Sequence, residues 1–168
     1  KTTLLRSLIG LLFPQSGSVR VCGKSVKRDP LFARQQVGMV FQDSDDQLFM
    51  PTVYEDVAFG PMNLGLNAEE VEPVVTQALQ RVASLHLKER PPYKLSVGEK
   101  RRVAIAAVLA MSPDILVMDE PSSSLDPRTR RELIALLRTF EHTKIIATHD
   151  LDLAIQLCPR TIVLSEGK

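Results

Sequence analysis

No stretch of the sequence approaches the roughly 20 consecutive apolar residues that a membrane-spanning helix needs. Any work at a membrane would therefore fall to a peripheral subunit. The opening residues do not have the layout of a signal peptide. Cysteine is scarce: Cys22 and Cys158 match no metal-ligand spacing and no disulfide framework, which points to a reducing cytosol. Charge of either sign is not in excess, with 21 Lys and Arg against 20 Asp and Glu and a formal net charge of +1. No basic patch invites nucleic acid as a partner. Internal repeats, low-complexity tracts and coiled-coil heptads are absent as well. What remains is ordinary for a globular protein: 168 residues, 44% hydrophobic and 24% charged, a one-domain length able to bury a core.

Periodicity then divides the chain. Leu4, Leu5, Leu8, Ile9, Leu11 and Leu12 recur at helical spacing until Pro14. GSVRVCGKSV reads as a small antiparallel element around a Cys22-Gly23-Lys24 turn. Val37 to Phe41 is a compact apolar strand ending at Gln42, and DSDDQLFMP after it is a loop. Thr52 caps a short helix that Gly60-Pro61 ends. Asn67 with Glu70 forms a capping box for a helix reaching about Leu85, with Pro73 early in it. Lys100 to Met111 is a further helix, Ile115 to Met118 a fully apolar strand, and Arg128 to Phe140 an amphipathic helix. Lys144 to Thr148 and Thr161 to Leu164 are expected to be two more strands. Short, fully apolar strands alternating with helices predict an α/β fold with a mostly parallel sheet covered on both faces.

Several polar residues stand at positions where such a sheet binds ligands, the carboxyl ends of its strands. Asp119-Glu120 leaves the apolar strand Ile115 to Met118. Neighbours on a strand face opposite ways, so one acid can hold a metal while the other orients water. His149 follows the strand ending at Thr148, and Gln42 follows the strand ending at Phe41. His86 and His142 sit in polar stretches and suggest no role. Ser96-Val97-Gly98-Glu99 reads as a capped helix start whether or not it binds anything, and Asp126 before Pro127 reads as another. A capped start also presents free N–H groups and a positive dipole end to an anion. Asp43, Asp45 and Asp46 have no EF-hand spacing and read as a solvated acidic loop.

In order, Ser96-Val97-Gly98-Glu99, Asp119-Glu120, Ser124-Leu125-Asp126 and His149 resemble the signature motif, Walker B, D-loop and switch histidine of the ATP-binding cassette (ABC) ATPases. Lys1-Thr2-Thr3 resembles the end of a P-loop, G-x-x-x-x-G-K-[ST], and Gln42 the Q-loop glutamine. The resemblance runs from Lys1 to the last residues. It implies a P-loop fold with a helical signature subdomain over roughly residues 52–112, ATP and Mg²⁺ as cofactors, and ATP hydrolysis. Glu120 and His149 would be catalytic. Lys1, Thr2, Thr3, Gln42, Ser96, Gly98, Glu99, Asp119 and Asp126 would bind nucleotide, with Thr2, Gln42 and Asp119 serving Mg²⁺. The family pattern is Leu-Ser-Gly-Gly-Gln, so Val97 and Glu99 depart from it, and Glu99 would bring a negative charge near a phosphate.

The resemblance also implies partners: a second cassette, identical or paralogous, and a transmembrane transporter subunit, which would place the protein on the cytoplasmic side of the cell membrane. Asp43 to Phe49 and Thr52 to Leu66 resemble the ATPases of energy-coupling-factor importers, especially the cobalt and nickel members. Two other readings compete. A chromosome-maintenance or DNA-repair ATPase would need a long coiled coil between Gln42 and Ser96, for which there is no room. A ribosome-associated soluble cassette protein would normally carry two cassettes in one chain. Because neither the first strand nor the glycine loop precedes Lys1, and TIVLSEGK stops just after an expected strand and turn, the chain reads as a fragment of one domain (residues 1–168), inactive by itself.

Overall fold

The structure, a computed structural model, describes residues 1–165. The chain opens with α1 (Thr2–Leu8), the strands β1 (Arg20–Val21) and β2 (Lys24–Ser25), α2 (Pro30–Gln36) and β3 (Val37–Val40). It continues with α3 (Val53–Asn63), α4 (Ala68–Arg81) and α5 (Val97–Leu109), with two short 3₁₀ turns between the last two. Then come β4 (Ile115–Asp119), α6 (Pro127–Arg138), β5 (Thr143–Ala147) and α7 (Leu151–Leu157).

Three parallel strands in the order β3-β4-β5 carry the fold. Met118 stands level with Val40 on one side and Ile146 on the other, and Asp119 is level with Ala147. Both faces of β3 and β4 are covered, as the apolar runs predict, whereas β5 has no buried residue and leaves Ile145 38% exposed. Leu116 and Met118 pack with Val57, Val75, Leu79, Ile105 and Leu137 of the helices, while Val117 packs on the opposite face with Leu5, Ile9 and Ala33. Each such side chain removed from water stabilises by about 1.5–3 kcal/mol. The central strand is therefore fixed from both sides, and its carboxyl end, where Asp119 sits, cannot shift independently of the core.

Local chemistry sets the element ends. β1 and β2 pair antiparallel around Cys22 and Gly23, both at positive φ, as a two-residue hairpin of this hand requires. Thr52, Asn67 and Ser96 each accept from the N3 backbone while Glu55, Glu70 and Glu99 reach back, so three capping boxes form.

Three helix ends and one strand depart most from expectation, while α5 and α6 end two residues early, at Leu109 and Arg138. α1 stops at Leu8 rather than near Pro14, because Gly10 adopts φ +68° and Leu11 N–H closes onto the Arg6 carbonyl at 3.0 Å, a Schellman ending. α3 is not ended by Gly60-Pro61: it continues to Asn63 and closes with Leu66 N–H on the Pro61 carbonyl. α4 ends at Arg81, short of Leu85, through the same motif, with Ala83 instead of glycine in the left-handed position. The strand expected over Thr161–Leu164 does not form. β5 pairs with β4 alone among the described residues, so that segment finds no ladder, and Ile162 and Val163 stay exposed. The turn expected beyond it extends over 166–168, outside the described residues.

Candidate active site

Asp119 is the last residue of β4 and is 2% exposed, with its Oδ1 buried and without a hydrogen-bond partner. An orphaned carboxylate oxygen is costly unless something satisfies it. Asp119 lines a cleft of about 370 Å³ together with Thr2, Gln42, Ser123, Arg6 and Lys100. A hydroxyl, an amide oxygen and a carboxylate there form a hard-oxygen set that suits Mg²⁺, and the unsatisfied Oδ1 of Asp119 fits such an ion. No group of three His, Cys, Asp or Glu side chains able to hold a metal occurs among the described residues. In the acidic loop of Asp43, Asp45 and Asp46, Asp45 pairs with Lys100 at 2.6 Å.

Glu120 turns away from Asp119 for a reason beyond strand alternation. Its backbone enters the left-handed region at φ +45°, and its N–H bonds the Ala147 carbonyl of β5 at 2.8 Å. The carboxylate then meets the end of β5. Oε2 lies 2.8 Å from His149 Nδ1 and accepts the His149 backbone N–H at 3.1 Å, while Oε1 faces Lys1 Nζ at 3.4 Å. Partial burial pushes the Glu120 pKa up, but hydrogen bonds from the His149 ring and backbone and the Lys1 charge outweigh it, and the net direction is down. Lys1 also donates to the Thr148 carbonyl at 2.7 Å. Thr3 is exposed and does not line the cleft.

The remaining residues singled out in the sequence lie apart. Ser96, Gly98 and Glu99 do not line the cleft, although Val97 and Lys100 do. Glu99 spends its carboxylate on the Ser96 N–H at 2.8 Å and hydroxyl at 2.7 Å, and those bonds lower its pKa. Its charge is drawn back into the cap. Gly98 leaves room for α6: a Cβ there would stand 2.4 Å from Thr129 Cγ2. Asp126 caps α6 by accepting from Arg128 N and Thr129 N.

Three polar arrangements had no counterpart in the sequence reading. Arg101, 3% exposed on α5, donates to the carbonyls of Phe41 at 2.7 Å and Gln42 at 2.6 Å. A charge at 101 in step with buried Ala104, Ile105 and Val108 was a readable signal, since an apolar stripe rarely carries an arginine without a partner. Gln47 accepts from Phe41 N and donates to the Ala104 carbonyl, fastening the loop after β3 from the other side. Asp150, next to His149, takes a bidentate contact from Arg130 and a bond from Ser122 Oγ.

A cleft with an orphaned carboxylate beside a lysine-histidine-glutamate cluster, at the carboxyl ends of a parallel sheet, is the arrangement of a nucleotide-binding α/β protein. The family model described as ABC transporter matches residues 1–123, and the chain belongs to that family, with its P-loop α/β fold. An ABC transporter ATP-binding protein of Geobacter sulfurreducens is 61% identical over 169 residues, covering 100% of this chain and 68% of that protein. The energy-coupling factor transporter ATP-binding protein EcfA of Carboxydothermus hydrogenoformans is 46% identical over 172 residues, covering 100% of this chain and 64% of that one. The solved structure of cbiO1 from Clostridium perfringens, part of the ABC transporter complex cbiONQ, superposes with a TM-score of 0.82 at 40% identity. That match covers 93% of this chain and 65% of cbiO1, so the chain spans about two thirds of the proteins it resembles. No helix among the described residues is long and apolar enough to cross a membrane.

Proposed function

We propose that this chain carries the ATP-hydrolysing site of a subunit that drives import through a membrane transporter. The observation that supports this reading best is the convergence of Lys1 and His149 on Glu120, while Asp119, one residue earlier, faces the cleft shared with Thr2 and Gln42. On this reading the Lys1 ammonium meets the β- and γ-phosphates, with Thr2 and Thr3 beside it. Thr2, Gln42 and Asp119 would hold Mg²⁺, whose charge offsets that of the phosphoryl oxygens. Glu120 orients and polarises the attacking water. His149, its Nδ1 held by Glu120, offers the other ring nitrogen to the γ-phosphate. Little covalent work falls to the protein, and catalysis is mostly positioning and electrostatics.

Ser96 and Gly98 lie outside the cleft, which supports a role toward the nucleotide of a second cassette, identical or paralogous, with Asp126 at the same junction. Glu99 serves there through its cap rather than through a phosphate contact. A transmembrane partner would dock on the apolar surface of Phe49, Phe59, Met62 and Leu64, all exposed, placing the protein peripherally on the cytoplasmic side of the cell membrane. The proposed cargo is a transition metal ion such as cobalt or nickel, a reading supported by the resemblance of the Asp43–Phe49 and Thr52–Leu66 segments to the ATPases of energy-coupling-factor importers.

Glu120→Gln in the complete gene product tests the core of the reading. ATP binding persists and turnover falls by about 10²-fold or more, the loss expected of a positioned base. Wild-type turnover in that variant would remove Glu120 from the mechanism.

A further inference from the structure

His149 is poorly held by its own surroundings. Its side chain is 76% exposed, and the ring is fixed only through Nδ1 and Glu120 among the described contacts. The next residue is bound far more firmly. The Asp150 carboxylate accepts from Arg130 Nε at 2.6 Å and Nη2 at 2.5 Å, from Ser122 Oγ at 2.9 Å and from Leu153 N at 3.0 Å. Those donors come from α6, the turn after β4 and the first turn of α7. We propose that Arg130 and Asp150 form a positioning clamp, which sets the backbone of His149 against Glu120 and ties it to the Ser122–Asp126 turn. The proposal rests on the roles of Glu120 and His149 given above and adds what keeps them in register.

A guanidinium fork on a carboxylate fixes direction as well as distance, which a single lysine bond does not. Arg130 N–H bonds the Asp126 carbonyl at 2.9 Å, and Asp126 caps the helix that carries Arg130. A displacement of the Ser122–Asp126 turn therefore moves the first turn of α6, then Arg130, then Asp150. Asp150 N–H also bonds Thr148 Oγ1 at 3.0 Å, so the three residues around His149 move as one piece. The Arg130 contact, with the Leu153 and Ser122 bonds, holds the Asp150 carboxyl well below the usual carboxylate range. The turn and the histidine are two ends of one linked body, and a second cassette pressing on the turn would be felt at His149.

Two measurements on the complete gene product test this, with Arg130→Met, Arg130→Lys and Asp150→Asn. Amide hydrogen exchange is read first, without nucleotide. Faster exchange in the peptide from Thr148 to Leu153, with β4 unchanged, is expected in Arg130→Met and Asp150→Asn, and exchange at the wild-type rate would overturn the clamp. Steady-state turnover is read second. Arg130→Met lowers kcat by roughly tenfold or more with little change in KM, as expected when reacting groups are misplaced rather than removed, and Arg130→Lys restores part of it. In a His149→Ala background Arg130→Met costs nothing further, because the two act in series. The same fold-loss in both backgrounds would mean that Arg130 only stabilises the fold, and would overturn the proposal. Should His149→Ala alone keep wild-type turnover, the assigned role of His149 fails, while the exchange result still decides the clamp. If Arg130→Met does not fold, Arg130→Lys carries both tests.

Discussion

One oxygen of Glu120, Oε2, receives both the ring Nδ1 of His149 at 2.8 Å and the His149 backbone N–H at 3.1 Å. The double contact exists because β4 and β5 are adjacent and parallel, with Asp119 level with Ala147, so their carboxyl ends open side by side. The left-handed turn at Glu120 then swings its carboxylate across to the neighbouring strand instead of into the cleft. Two neighbouring acids are thereby sorted into separate surroundings: Asp119 buried with an unsatisfied oxygen, Glu120 held by three nitrogen donors, two from His149 and one from Lys1.

His149→Ala removes the ring from this arrangement and with it the donor proposed for the γ-phosphate. Loss of one preorganised donor to developing charge typically costs about 10²–10³ in kcat. The backbone N–H to Glu120 survives the substitution, so Glu120 remains partly oriented and nucleotide binding changes little. Single-turnover kinetics beside a binding titration separate the two effects, and a variant that binds ATP far more weakly but turns over normally would contradict the role.

Asp150 contributes stability that depends on pH. Its folded-state pKa is depressed, chiefly by Arg130. Its contribution is therefore fully present above the unfolded value, near 3.9, and is lost as pH falls through the folded one. Asp150→Asn should melt lower than the wild type at neutral pH, and the gap should narrow on acidification below about pH 4. Thermal melts across that range check the sign. A gap that widens in acid would assign the stabilisation to something other than the carboxylate.

Much of this molecule was legible. The apolar runs marked β3, β4 and β5. Thr52, Asn67, Ser96 and Asp126 each cap the helix their spacing announced. What escaped depends on tertiary partners or on rules that local patterns do not carry. α2 and α7 open at Asp29 and Asp150 with side-chain caps, but each is only seven residues long and offers little periodicity. The end of α4 is hidden because Ala83, not glycine, takes the left-handed position. The apolar content of Thr161–Leu164 suits a strand, yet a strand needs a neighbour, and no local pattern names one. The Arg130–Asp150 and Arg101–Gln42 contacts join segments far apart in sequence. The apolar stripe on α5 flags Arg101 as a buried charge, but only the fold names the partners in either contact.

Asp56 gives a second stability test with the opposite sign. It is buried on α3, where Oδ1 accepts from Phe49 N at 2.9 Å and Met50 N at 3.0 Å while Oδ2 has no partner. Burial raises its pKa, opposed by those two backbone bonds. A raised folded-state pKa means that ionisation at neutral pH costs stability, and the cost disappears as pH falls below the unfolded value. Asp56→Asn keeps an acceptor for both N–H groups without the charge, so it should match or exceed the wild type at neutral pH. Asp56→Ala strands two backbone donors and should lose about 1–3 kcal/mol for each one left buried. Chemical denaturation of the two variants decides it, and equal losses in both would show that the charge itself is needed.

Phe49 is where the coupling proposal is most exposed to test. Its ring is 62% exposed and packs edge-on against Phe59, itself 41% exposed, with centroids 5.1 Å apart and planes at 85°. Such a pair gains about 0.5–1.5 kcal/mol beyond the area it buries, so the rings hold each other while most of Phe49 remains in water. The Asp56 carboxylate, by binding the Phe49 N–H, fixes the backbone that presents it. With Met62 and Leu64 also exposed, this surface has the apolar anchors that a docking helix requires. Phe49 is absent from the residues lining the cleft and from the contacts of Lys1, Glu120 and His149. Phe49→Glu in the complete gene product should therefore leave ATP turnover without the membrane partner within about twofold, because a surface substitution away from the site perturbs little. Assembly with the transmembrane subunit should fall sharply, since an anchor is replaced by a charge that must be desolvated to dock. Co-purification from membranes and ATPase rate, measured on the same preparation, separate the two outcomes. Full assembly with full transport would move the docking surface away from Phe49 and remove the main structural reason for coupling this chain to a membrane partner there.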